Sequence, residues 1–319
     1  MDWKELKQQE KESDSLEKIV PKTWLSVSGR PGTGKTWLGL SASKHNPVVL
    51  FNFDLNEQGA IQVLKRYKQN ILQFKYPLRL MGNYEISKDS IDQFCNFDEV
   101  DPTGHYIDAL GLTNNSAVLF IDTATALLDN IQEKELFNPE AITKREKRAE
   151  RRSDRGSSAS MDPQQFDYKK PNNQFEFLLS RIKSTTKHLI LSHRMSPIYS
   201  ESGKFTGQYT PDQYKWTPHL VNLEVLLENT DKGVQCKIVK SGIHLKLMGK
   251  VFPYGVYDFN FLHGISWNIT ENFTNKQMLE WAKLVQDGVY ADSETGDSLL
   301  TDSQEDDFSK LLPKILNGK

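Results

Sequence analysis

Gly29-Arg30-Pro31-Gly32-Thr33-Gly34-Lys35-Thr36 fills every fixed position of the phosphate-loop pattern G-x-x-x-x-G-K-[ST]. The flanks fit as well. Trp24-Leu25-Ser26-Val27-Ser28 before it has the apolar content of a short strand. Trp37-Leu38-Gly39-Leu40-Ser41-Ala42 after it predicts the start of a helix. Strand, glycine loop and helix are the context in which such a loop closes backbone N–H groups around phosphate oxygens. Residues Gly29 to Trp37 would form that cradle. Within it, Lys35 would reach the β- and γ-phosphates and Thr36 would ligate Mg²⁺. A nucleoside triphosphate, written here as ATP, is the expected ligand.

The chain has 319 residues, enough for one large α/β domain or two smaller ones. Net charge is −2, so bulk electrostatics do not argue for nucleic acid, and any basic surface must be local. Two cysteines, Cys95 and Cys236, stand far apart in no metal spacing and fit buried thiols in a reducing compartment. No apolar run reaches transmembrane length, and Met1-Asp2-Trp3-Lys4-Glu5 has no signal-peptide core. The expectation is a soluble protein of the cytoplasm, or of the host-cell cytoplasm if the source is viral, without a membrane partner.

Pro47-Val48-Val49-Leu50-Phe51-Asn52-Phe53 reads as a strand covered on both faces, and Asp54 to Gly59 ends it. Ile61, Leu64 and Tyr67 are spaced as on a helix, and Leu78–Met81 reads as a short strand. Residues 85–113 look helical, with a turn at Pro102-Thr103-Gly104. Further strands are expected at 116–121 and 187–194, with a helix between them near 173–186. From 219 the pattern turns to β, at His219–Glu228, Gly233–Val239 and Ile243–Met248. Alternating strands and helices predict an α/β fold with a mostly parallel sheet covered by helices on both faces and a β-rich C-terminal extension. Polar residues at the carboxyl ends of its strands, Gly29, Asp54, Asp122 and His193, would then share one rim.

Ala117-Val118-Leu119-Phe120-Ile121 ends in Asp122, an acid-ended apolar strand of the Walker B kind, which would hold Mg²⁺ together with Thr36. The next residue is Thr123, not the glutamate that polarises water in many oligomeric P-loop ATPases, so a base must come from elsewhere. In this the chain resembles RecA-like P-loop ATPases, especially small phage ATPases with a reduced RecA core that assist single-strand annealing. The likeness runs from about 23 to 250. It implies a RecA-like core and a Mg²⁺-dependent ATPase that forms a homo-oligomer on single-stranded DNA in recombination, annealing or replication. A single-strand binding or annealing protein would be a partner.

The resemblance also implies roles for particular residues. The family's catalytic acid ends the strand after the phosphate-loop helix, where this chain offers Asp54 or Glu57. The family normally has glutamate there, so Asp54 departs from the pattern. His193, at the end of the 187–194 strand, matches the polar residue that senses the γ-phosphate. Lys240, in Lys237-Ile238-Val239-Lys240-Ser241-Gly242, matches a basic residue that reaches a neighbouring subunit's phosphate. The family often has a second basic residue two positions on, and here that is Gly242.

RecA-like recombinases bind DNA through two loops, and this chain has polar excursions at both places, 129–172 and 195–218. The first carries Lys144, Arg145, Lys147, Arg148, Arg151, Arg152 and Arg155 among the acids Glu146, Glu150 and Asp154. The second carries Tyr199, Phe205, Tyr209, Tyr214 and Trp216 with Lys204 and Lys215. Basic side chains would contact phosphates, and aromatics, Tyr209 and Trp216 foremost, would stack on bases. The alternative for both is a solvated helix face and core packing. The expected organisation is a charged arm at 1–20, one ATPase domain at 21–270, and a C-terminal helix and acidic tail at 271–319. Two other functions stay open: an AAA+ helicase loader or remodeller, and a nucleotide-gated interaction protein with little turnover.

Overall fold

Leu50 and Phe120 are fully buried, yet they belong to a different core from their neighbours Phe51 and Ile121. That alternation is how a strand with both faces covered satisfies a continuous apolar run. The computed structural model describes residues 22–54, 61–76, 84–95, 118–153, 161–184, 188–253 and 255–267. Its strands are β1 (Trp24–Gly29), β2 (Val48–Asn52), β3 (Ile71–Lys75), β4 (Val118–Asp122), β5 (His188–Tyr199), β6 (Phe205–Asp212), β7 (Leu223–Thr230), β8 (Gly233–Ser241) and β9 (Val251–Pro253). They form one sheet in the order β3-β2-β4-β5-β1-β7-β8-β9, with β6 paired to β5 outside that path. Pairings from β3 through β7 are parallel. The pairs β5–β6, β7–β8 and β8–β9 are antiparallel. The fold is thus α/β, with a mostly parallel mixed sheet flanked by helices.

The helices are α1 (Lys35–Ser41), α2 (Ile61–Arg66), α3 (Tyr84–Cys95), α4 (Ala124–Leu136), α5 (Pro139–Ser153), α6 (Lys169–Ser184), α7 (Thr217–Leu220) and α8 (Phe259–Trp267). On one face α1 and α8 cover Leu25, Val27, Leu50, Phe120 and Ile190. On the other face α3, α4 and α6 cover Val49, Phe51, Leu119, Ile121 and Leu191. Helix α1 lies so close to the sheet that a Cβ on Gly39 would run into the Phe120 ring. Helix α8 is tied to the end of α1 by polar contacts. Ser41 Oγ accepts from the Phe259 N–H at 2.9 Å, and Lys44 pairs with the buried Asp258 at 2.7 Å. Below the sheet, His188 Nδ1 accepts the Thr23 N–H at 3.0 Å, and the His188 ring lies edge-on to His263. Burial holds the His188 imidazole down at about 4 and that of His263 well below the ordinary value, so both are neutral at pH 7.

The elements depart from the sequence expectation in several places. Within 129–172 the described residues hold most of α4, all of α5 and the start of α6, so they are largely helical. Residues 195–218 hold the outer half of β5, the whole of β6 and the start of α7. Residues 245–247 make a single 3-10 turn where a strand was expected, because Gly249, at φ +79°, turns the chain back onto β8 through its bond to the Ile238 carbonyl. Strand β3 lies at 71–75, which had no expected strand, and the strand expected at Leu78–Met81 lies outside the described residues. The arm at 1–20, the stretch 96–113 and the tail from 271 also lie outside them. Among the described residues no helix is long and apolar enough to cross a membrane.

Candidate nucleotide site

The site lies where β1, β2 and β4 end and where β5 passes from its parallel neighbours to β6. The Gly29–Thr36 loop leaves β1 and enters α1 through two left-handed residues, Gly32 at φ +79° and Gly34 at φ +86°. A side chain at either would be strained, so the loop needs glycine there. Lys35 Nζ folds back over the loop and donates to the carbonyls of Gly29 at 2.8 Å and Arg30 at 3.2 Å. Burial pulls its ammonium below the ordinary lysine range, against the charges of Asp122 and Asp54. A concave site of about 350 Å³ opens over the loop. Its lining includes Lys35, Thr36, Trp37, Asp54, Asp122 and Arg194.

Thr36 and Asp122 meet although they stand 86 residues apart: Thr36 Oγ1 donates to Asp122 Oδ2 at 2.7 Å. Ser192 Oγ, on β5, donates to the other carboxylate oxygen. Asp122 is buried, which raises its pKa, and the two hydroxyl bonds oppose that rise. The peptide that follows it, Asp122–Thr123, is cis. A hydroxyl beside a single carboxylate, both hard oxygen donors, suits Mg²⁺, which keeps several waters and takes its other ligands from phosphate. Among the described residues there is no cluster of three or more His, Cys, Asp or Glu that would hold a metal without a phosphate.

The pleat decides which strand-end residues face this site. Val118 and Phe120 lie on the α1 face, so Asp122 lies there too. Leu50 and Ile190 lie on the same face, and counting by two brings Asp54, Ser192 and Arg194 to it. His193 shares its parity with Leu189 and Leu191, whose side chains pack on the opposite face. It is fully buried, its ring nitrogens have no partner in the described structure, and burial holds its pKa at about 3. The residues of β5 that face the site are thus Ser192 and Arg194, and not His193, which was expected there. A period-two count from Ile190 would have found Arg194 in the sequence.

Arg194 forms an ion pair with Asp54 at the mouth of the site, Nη2 to Oδ1. Both side chains keep solvent access, at 45% and 29%. Glu57, the other acid considered for the base, lies outside the described residues. Lys240 is turned inward, and its ammonium donates to the carbonyls of Pro218 and Val221 at the end of α7. In the described structure the Lys240 ammonium, expected to reach a neighbouring subunit, is bound within its own chain.

The excursions supply the residues expected to meet nucleic acid, in two different ways. On α5, Arg145 is buried, donates to the Leu136 carbonyl and lies over the Phe137 ring. Arg148 makes a two-pronged pair with Asp167, at 2.9 and 3.2 Å, and stacks on Phe166. Arg152 reaches Gln164 at 3.3 Å. These three arginines are used within the fold, while Lys144, Lys147 and Arg151 stay exposed. The β5–β6 hairpin instead carries an aromatic row. Tyr199 and Phe205 have ring centroids 6.1 Å apart, and Phe205 and Tyr209 5.3 Å. At the inner end of the row the guanidinium of Arg30, in the phosphate loop, lies 4.7 Å over the Tyr209 ring. Tyr214 belongs to the core, packed on Phe175, with its hydroxyl donating to Glu176 at 3.1 Å. Trp216 is half-exposed beside His219 and Lys215.

Compared with known proteins, the chain matches no family model and no curated protein sequence.

Proposed function

We propose that this chain is a Mg²⁺-dependent ATPase of the RecA-like kind that acts on single-stranded DNA. The observation that carries the nucleotide reading is the Thr36–Asp122 contact at 2.7 Å, formed beside Lys35 at the mouth of a glycine loop. Residues that the sequence assigns separately to one Mg²⁺ are joined in space. The strand order supports the RecA-like reading: β5 lies between the loop strand β1 and the Asp122 strand β4, so that Ser192 and Arg194 would stand beside the phosphates. The β7–β8–β9 edge speaks against an AAA+ remodeller, for which a helical lid would follow the core.

Each residue then has a part. Backbone N–H groups of the loop and the Lys35 ammonium would hold the β- and γ-phosphates. Thr36 and Asp122 would hold Mg²⁺, which when bound offsets charge on the phosphates. Hydrolysis requires water to attack the terminal phosphorus as its bond to the bridging oxygen breaks, giving ADP and phosphate. Asp54, which lines the site, would take the water's proton. The exposed row Tyr199, Phe205 and Tyr209 offers ring faces for bases, and its contact with Arg30 joins it to the phosphate loop. A homo-oligomer, and a single-strand binding or annealing protein as partner, belong to the same proposal.

The test is ATP turnover measured alone and with single-stranded DNA, duplex DNA or RNA. Stimulation by single-stranded DNA above the other two supports the reading. Tight ATP binding without turnover under any of them favours a nucleotide-gated interaction protein. The Arg194 pairing of Asp54 gives that second reading its footing.

A further inference from the structure

Asp54 and Arg194 neutralise each other at the mouth of the nucleotide site, and both line it. While Asp54 Oδ1 accepts from the guanidinium, that oxygen is not open to a water. Arg194 cannot meet a phosphate while it is held by Asp54. The cations lining the cavity are Lys35 and Arg194. Lys35 is partly buried and bound to loop carbonyls, whereas the Arg194 side chain is 45% exposed. A triphosphate brings more negative charge than Lys35 alone can offset, and its terminal phosphate extends farthest from the loop. A guanidinium presents a fork of donors that suits such a phosphate.

We propose that the Asp54–Arg194 pair is a latch specific for the terminal phosphate: entry of a triphosphate, but not a diphosphate, draws Arg194 onto the γ-phosphate and frees Asp54. This rests on the nucleotide reading of the site and adds to it the means by which the site tells ATP from ADP. The latch also stands at the root of the hairpin. Arg194 is the first residue of β5 paired with β6, opposite Asp212. Thr125, just after Asp122, clamps that pair. Its Oγ1 accepts the Arg194 N–H at 3.1 Å and donates to the Asp212 carbonyl at 2.5 Å. A change at Arg194 is thus made next to both the Mg²⁺ carboxylate and the base of the aromatic row.

The experiment measures affinities for the β,γ-imido analogue of ATP and for ADP, each with Mg²⁺, by displacement of a fluorescent ADP derivative. Parent, Arg194→Ala, Asp54→Asn and Lys35→Ala are compared, with thermal unfolding as a check on the fold. The latch predicts that Arg194→Ala weakens the triphosphate analogue about tenfold and changes ADP affinity less than about twofold. Asp54→Asn, which removes the negative charge that holds Arg194, should tighten the triphosphate analogue and not ADP. An equal effect of Arg194→Ala on both nucleotides, or none on either, overturns the latch, as does an Asp54→Asn variant with parental triphosphate affinity. If the parent binds nucleotide, Lys35→Ala does not, and Arg194→Ala fails to discriminate, the latch alone falls. If the parent binds neither nucleotide, the site reading falls and the latch with it.

Discussion

Helix α5 and the β5–β6 hairpin both read in the sequence as polar excursions from the sheet, and the folded chain uses them in opposite ways. Helix α5 turns its arginines inward. Arg145 caps a carbonyl of α4, and Arg148 pairs with Asp167. The hairpin turns its aromatics outward in a row that ends on Arg30 of the phosphate loop. A run of arginines therefore marks a basic surface only when the fold leaves its guanidinium groups unmatched. Aromatics outside a core, by contrast, leave ring faces open to a ligand.

The sharpest way to break this contrast is to remove the row. Phe205→Ala with Tyr209→Ala should weaken binding of single-stranded DNA by about 1–3 kcal/mol per lost stacking ring. Chemical stability should stay within about 0.5 kcal/mol, because both rings are exposed. A filter-binding titration beside a urea melt reads both. Parental DNA affinity would make the hairpin a protein contact instead.

Arg145→Ala tests the other side. It removes a buried guanidinium from the Leu136 carbonyl and from the Phe137 ring, and should cost about 1.5–3 kcal/mol in urea unfolding. DNA affinity of the folded variant should not change beyond what its stability explains. Arg148→Ala breaks a largely shielded two-pronged pair with Asp167 and should cost about 1 kcal/mol. A neutral result at both would return the arginines of α5 to the role of surface charge. The smallest effect belongs to the exposed set. Lys144, Lys147 and Arg151 changed together to Ala should leave stability within about 0.5 kcal/mol. If these three meet phosphates, the salt dependence of DNA binding becomes shallower, and affinity falls most at low salt.

How much of this was legible in the sequence differs between core and rim. The buried strands 48–52, 118–122 and the inner half of β5 could be read because a strand covered on both faces is apolar throughout. The loop could be read because few residue types permit its backbone. Strand β3 was not legible, since Ile71-Leu72-Gln73-Phe74-Lys75 is a half-exposed edge with mixed polarity. At the site, Lys35, Thr36 and Asp122 came together as the motifs implied. Arg194 was missed because the resemblance pointed to its neighbour, and only the parity of the pleat separates the residue that faces the site from the one that faces the core. The inward turn of Lys240 depends on the carbonyls at the end of the short helix α7, which no local pattern announces.

Nucleotide binding by this chain rests on the phosphate loop. Calorimetric titration of Mg²⁺-ATP into the parent chain and into Lys35→Ala measures it most directly. The prediction is a saturable binding isotherm for the parent and no measurable binding for the variant, whose fold is checked by its thermal transition. A folded Lys35→Ala that binds Mg²⁺-ATP as tightly as the parent would contradict it.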